Sequence, residues 1–144
     1  MASWLFKEEP ESYGYGQLVR DRRTVWAGVR NPLAQQHLRG IRKGDRIFYY
    51  HTGKEKAVVA VAKATSDAYP DPNDPTGKLH VVDIAPDRAL THPVTLAAIK
   101  ADKAFASFAL VRMSRLSVMP VTTEEWARIE KMSLTGAAQP RRAR

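Results

Sequence analysis

Eight consecutive residues, Ala57 to Ala64, are small or β-branched apolar side chains with a single lysine among them. An extended run that is apolar on both sides leaves no face for water, so it demands a sheet covered on both faces. The 144-residue chain can supply that cover. Its length suits one domain, and a domain of that size buries roughly two thirds of the surface its unfolded chain exposes. With 44% hydrophobic and 26% charged residues, the bulk of the chain is neither disordered nor unusual for a globular protein.

Strands and helices alternate irregularly around that run. Trp4-Leu5-Phe6 reads as a strand that Pro10 keeps from continuing into a helix or a central ladder. A short helix is expected over Gln17 to Arg22. A better signal is Asn31-Pro32, with Asn suited to the cap, Pro to the first turn and Gly40 to the end. Lys43-Gly44-Asp45 predicts a tight turn into the strand Arg46 to His51. Asp67 to Pro75 holds three prolines and reads as a loop, followed by an alternating strand over Leu79 to Ile84. Thr95 opens a short helix through Leu96 and Ile99, and Leu116-Ser117-Val118 is a late strand ended by Pro120. Thr122 and Glu125 fit a capping box, opening a helix whose Trp126 and Ile129 face the core. Five or six short strands without regular strand–helix alternation favour an α+β mixed barrel over a doubly wound sheet.

The formal charge is +8, and its distribution is uneven. From Arg20 to Arg46 there are eight cations and two acids, whereas Asp67 to Asp87 holds five Asp and one Lys. A basic face is therefore expected, suited to phosphates. Arg22, Arg23, Arg39, Arg42 and Lys43 are its candidate backbone contacts. Residues 1–134 read as one domain and 135–144 as a flexible basic tail. Cysteine is absent, which excludes disulfides and thiolate metal sites, and His37, His80 and His92 lack ligand spacing. No metal or cofactor is expected. No apolar run approaches a membrane span, and no signal-type segment is visible at the N-terminus, so a soluble, intracellular protein is expected, cytoplasmic or, in a eukaryote, nuclear.

Three aromatic stretches, Trp4-Leu5-Phe6-Lys7-Glu8-Glu9-Pro10, Val25-Trp26-Ala27-Gly28-Val29-Arg30-Asn31 and Ile47-Phe48-Tyr49-Tyr50-His51, stand beside cations and amides. Flat rings stack on bases, and the polar neighbours can bond phosphates or base edges. Together with Lys43-Gly44-Asp45, Ala68-Tyr69-Pro70-Asp71 and Arg115-Leu116-Ser117-Val118 followed by Pro120 and Trp126, these stretches resemble the EVE domain family from about Ser3 to Met132. The resemblance implies a PUA-like barrel, related to YTH and ASCH domains, that binds modified nucleobases, notably modified cytosines in DNA. Two positions depart from the family pattern: Glu8 stands where a small hydroxyl residue is common, and Pro32 where an aromatic is frequent.

The candidate base pocket comprises Trp4, Lys7, Glu9, Trp26, Val29, Asn31, Tyr50, His51, Tyr69 and Ser117. Trp4 and Trp26 would form its walls, Tyr50 and His51 would stack on or bond the base, and Tyr69 would lie in a covering loop. Lys7, Arg30 and Arg115 would contact phosphates or a base oxygen, while Asn31, Ser117 and Glu9 would read donors and acceptors. The helix start at Arg30-Asn31 favours an anion, although both residues also fit capping and surface charge. The expected activity is that of a non-enzymatic, monomeric reader that takes a flipped modified base (5-methylcytosine or 5-hydroxymethylcytosine), with DNA ahead of RNA. The alternative is a small hydrolase acting on a modified nucleoside, with Lys7 as nucleophile or base and Glu9 moving protons.

Overall fold

The computed structural model describes residues 1–135, and the tail expected at 135–144 lies, beyond Thr135, outside the described residues. Strand β1 (Ser3–Glu8) is followed by helices α1 (Pro10–Tyr13) and α2 (Tyr15–Asp21), then β2 (Thr24–Trp26) and α3 (Pro32–Arg39). Next come β3 (Arg46–His51), β4 (Ala57–Ala64), β5 (Tyr69–Pro70) and the long β6 (His80–Thr95). Helix α4 (Leu96–Lys100), a 3-10 turn at Lys103–Phe105, α5 (Ala109–Arg112), β7 (Val118–Pro120) and α6 (Thr123–Thr135) complete the order.

Six strands hydrogen bond in the path β2-β6-β4-β3-β1-β7, and short β5 pairs with β6 outside that path. Among the described residues only β1 and β3 pair in parallel, with Lys7 opposite Tyr50 and Phe6 opposite Tyr49. Strand β4 occupies the middle, between β3 and β6, and its apolar run is covered on both faces as its composition requires: Val58, Ala60 and Ala62 are fully buried. Each large buried side chain contributes roughly 1.5–3 kcal/mol, and Leu5, Phe6, Ile47, Phe48, Tyr49 and Ile84 all have no exposed surface.

The helix starts read from sequence are present. Asn31 Oδ1 accepts from the Ala34 amide at 3.0 Å, and Thr95 Oγ1 accepts from Ala98 at 3.1 Å. The capping box closes in both directions, Thr122 N to Glu125 Oε1 and Glu125 N to Thr122 Oγ1, each at 3.0 Å. Trp126 is buried and stacks on Phe48, with centroids 3.6 Å apart.

Five expectations need correction. Pro10 does not bar a helix: it begins α1, where its missing N–H would have had no intrahelical acceptor. Helix α2 starts earlier than Gln17 and stops at Asp21, since Arg22 takes a left-handed conformation with φ 67° and closes the end. The strand expected over Leu79 to Ile84 continues to Thr95, crossing Pro86 and Pro93. Register shifts against β4 between Val58 and Ala60 and between Val61 and Ala62 admit the extra residues and break the alternation that sequence patterning relies on. The late strand is displaced to Val118–Pro120 by its pairing with β1, in which Leu5 faces Met119. Within the expected loop, Tyr69–Pro70 forms β5, a two-residue edge where a proline is tolerated.

Two buried polar side chains position the parts. Asp45 accepts from the Ala2 and Arg42 amides and from the Trp4 indole, all at 3.0 Å. Gln35 donates to the carbonyls of Val29 and His80 and accepts from His80 N, which ties α3 and the loop before it to the start of β6.

Candidate nucleic-acid interface

Parallel pairing of β1 with β3 puts Lys7 and Tyr50 side by side on one face, with the ammonium 5.8 Å from the ring centroid. Lys7 Nζ donates to the Ser114 carbonyl at 2.8 Å. An ammonium has three N–H donors, so two remain for a ligand. Partial burial disfavours its charged form and lowers the Lys7 pKa. Burial likewise pushes the Tyr50 phenol up to about 12, so it stays neutral and able to donate near pH 7.

These two side chains line a cavity of about 300 Å³. Thr52, Gly53 and Lys56 line it beyond β3, Leu96 and Lys100 reach it from α4, and Leu110, Val111 and Ser114 complete it. Leu96 and Lys100 are four residues apart, which places them on one side of a helical turn. The volume is at the small end for ligand pockets, and the mixture of apolar walls with a few polar groups is typical of them. Its uncommitted polar atoms are mainly donors, so an acceptor-rich ligand fits best.

Two further cavities adjoin the first. One, of about 350 Å³, shares Ser114 and includes Asn31, Arg112 and Arg115. The other, of about 420 Å³, shares Lys56, Leu96 and Lys100 and adds Lys54, Glu55 and Thr95. Lys7, Lys54, Lys56, Lys100, Arg112 and Arg115 thus border one line of cavities, and among the described residues none of the six forms an ion pair. Glu55 is the acid in this line, and its Oε1 lies 2.7 Å from His51 Nδ1.

Of the residues singled out in the sequence, Lys7 and Tyr50 meet in the first cavity, and Asn31 and Arg115 meet in its neighbour. Ser117 lies next to them, its carbonyl accepting from Lys7 N at 2.9 Å. Val29 is buried with its carbonyl bonded to Gln35, and Arg30 is exposed beside the α3 cap.

Trp26 stands on the other face of β1. Its ring centroid is 5.1 Å from that of Phe6, and successive strand residues point to opposite sides, so Trp26 and Lys7 do not share a wall. Tyr13 and Tyr49 enclose the same ring at 6.5 and 5.5 Å. Trp4 is buried, with its N–H on Asp45. Tyr69 donates to Asp83 at 2.6 Å, away from all three cavities, and that bond pushes its phenol up to about 12. His51 Nε2 accepts from the Tyr15 amide at 3.0 Å, so the ring proton sits on Nδ1, facing Glu55. Glu9 accepts from Thr52 Oγ1 at 2.6 Å and supports the Thr52–Gly53 wall from behind.

Arg22, Arg23, Arg39, Arg42 and Lys43 are exposed, but none lines the three cavities. Arg39, Arg42 and Lys43 lie at the C-terminal end of α3, about 12 Å of helix rise from Asn31. Lys54, Lys56, Lys100 and Arg112, which do line the cavities, were missed because isolated surface cations carry no pattern. The available clue was positional: Lys54 and Lys56 follow Gly53 directly after an aromatic strand.

The model of the EVE domain matches residues 2–132. The chain belongs to the EVE domain family. It is 31% identical to human thymocyte nuclear protein 1 over an alignment that covers 85% of this chain and 70% of that protein. The NMR structure of a protein from Rhodopseudomonas palustris superposes with a TM-score of 0.89 at 44% identity, covering 99% of this chain and 100% of that one. The crystal structure of the human THYN1 protein in complex with DNA containing 5-methylcytosine superposes with a TM-score of 0.82 at 28% identity, covering 92% of this chain and 98% of that one. The PUA-like α+β architecture expected of an EVE domain is therefore the architecture of this chain. Among the described residues, no helix is long and apolar enough to cross a membrane.

Proposed function

We propose that this EVE domain is a non-enzymatic reader of nucleic acid that takes a turned-out modified base, a modified cytosine in DNA ahead of other targets, into the Lys7–Tyr50 cavity. The observation that carries this reading is the half-buried Lys7 ammonium, with two donors to spare, in the wall of a small cavity lined also by Lys56 and Lys100, neither of which forms an ion pair among the described residues. Cytosine presents a carbonyl and a ring nitrogen as acceptors, and phosphates suit the rim. The related human protein, solved with DNA containing 5-methylcytosine, supports the choice of ligand. Trp26 and Trp4 then serve the reader from behind, by fixing β1 and β3.

Energetically, unstacking a base costs a few kcal/mol and must be offset by the cavity and by phosphate contacts, so binding should weaken steeply with salt. The hydrolase alternative requires Lys7 and Glu9 to act together. Instead, Lys7 holds the Ser114 carbonyl and Glu9 holds Thr52. The test is an anisotropy series with DNA and RNA oligonucleotides carrying cytosine, 5-methylcytosine, 5-hydroxymethylcytosine or 6-methyladenine at two salt concentrations, with mass spectrometry of the recovered ligand. Preferential, salt-sensitive binding of one modification, with the ligand returned intact, is the expected result. Equal affinity for all of them would remove the base-reading role, and conversion of a modified nucleoside would replace the reader with an enzyme.

A further inference from the structure

We infer that the nucleotides flanking the bound base are held in the two side cavities, with Lys56 and Lys100 gripping the phosphate on one side and Arg112 and Arg115 gripping the phosphate on the other. This rests on the reader function proposed above and assigns the path of the strand through it. The base cavity shares Lys56, Leu96 and Lys100 with one neighbouring cavity and Ser114 with the other, which Arg112 and Arg115 also line, so a ligand polymer passing from it into either neighbour meets cations. A free nucleobase would need only the middle cavity.

The backbone at Lys56 supports this independently. Lys56 has φ 45°, a left-handed conformation that disfavours a side chain, and its carbonyl is fixed by the Leu96 amide at 2.8 Å. Glycine would fit this position with less strain. A lysine there places an ammonium on the wall common to two cavities, which is the arrangement expected where local strain is retained for ligand contact.

The experiment compares the full chain with Lys56→Gln/Lys100→Gln, Arg112→Gln/Arg115→Gln and, as a control, Arg39→Gln/Arg42→Gln. The probe is a short single-stranded DNA in 5-methylcytosine and unmodified forms, titrated across a salt series. Each groove pair should lower the slope of log K against log salt by about 1.4, at about 0.7 per lost phosphate contact on single strands. The Arg112→Gln/Arg115→Gln pair, which lies outside the base cavity, should weaken both probes by the same factor and leave their affinity ratio intact, and the control should match the parent. Lys56→Gly should bind more weakly while melting at a higher temperature, an outcome that loss of folding cannot mimic. If the parent prefers 5-methylcytosine but the groove pairs keep its slope, the strand path is wrong and the reader stands. If the parent shows no preference while the groove pairs still lose slope, the reader fails and the cation path survives as a nonspecific one. An unchanged affinity in Lys56→Gly removes Lys56 from the path.

Discussion

Trp4 donates its indole N–H to Asp45 Oδ2 at 3.0 Å across 41 positions of sequence. Both residues are buried, and the same carboxylate also receives the Ala2 and Arg42 amides. Asp45 thereby joins the start of β1 to the turn that launches β3, and the parallel pairing of those strands is what brings Lys7 beside Tyr50.

Replacing that carboxylate should therefore act through folding. Asp45→Ala leaves three N–H groups without their acceptor, and a buried unsatisfied donor costs about 1–3 kcal/mol. A total loss of about 3 kcal/mol is expected from the urea unfolding midpoint, with the base preference of the folded fraction unchanged. A loss of base preference without a loss of stability would return Trp4 to the ligand.

Trp126 lies between Phe48 and the Arg46 guanidinium, which is 4.2 Å from its ring centroid. Trp126→Ala should destabilise the domain by about 3–5 kcal/mol in thermal or urea unfolding. Trp126→Phe should cost less, because the indole Nε1 is buried without a partner among the described residues and phenylalanine removes that donor.

Lys7 has a pKa lowered by burial, so its charged form is favoured less in the folded state than in the unfolded one. Its linkage term therefore raises stability as pH climbs from the lowered value toward 10.5, the opposite of a paired lysine. Binding follows the charge instead: oligonucleotide affinity should fall in a step below pH 10.5 in the parent. Lys7→Met should lose most of its affinity at neutral pH, show no such step, and unfold at an equal or higher urea concentration.

Tyr69 illustrates the raised case. Its phenol, normally near 10.0, titrates at about 12 because ionisation breaks the bond to Asp83. The stability it contributes is complete below pH 10 and is lost as pH rises toward about 12. Tyr50, raised by burial to about 12, adds to the same decline. Tyr69→Phe should lower the urea midpoint at pH 8 and give a shallower decline from pH 10 to 12, whereas a parallel curve would mean that the Asp83 bond contributes nothing.

Local chemistry determined much of this molecule. A cap is read by its own neighbours, which is why the helix starts at Asn31, Thr95 and Thr122 were legible, as were the turn at Lys43–Asp45 and the two-sided burial of Ala57–Ala64. The family motifs carried the architecture, and Lys7, Tyr50, Asn31 and Arg115 were visible as chemistry-bearing residues.

Tertiary structure decided which of them meet. Whether a strand side chain faces a cavity or the core depends on its pairing partner and on sheet curvature, so Trp26 and Lys7 look alike in sequence and stand on opposite faces of β1. The length of β6 depended on register shifts against β4, which leave no local pattern. The cationic rim was assembled by topology: Lys56, Lys100 and Arg112 are far apart along the chain, and only the packing of α4 and α5 beside the ends of β1 and β3 brings their charges to one line of cavities.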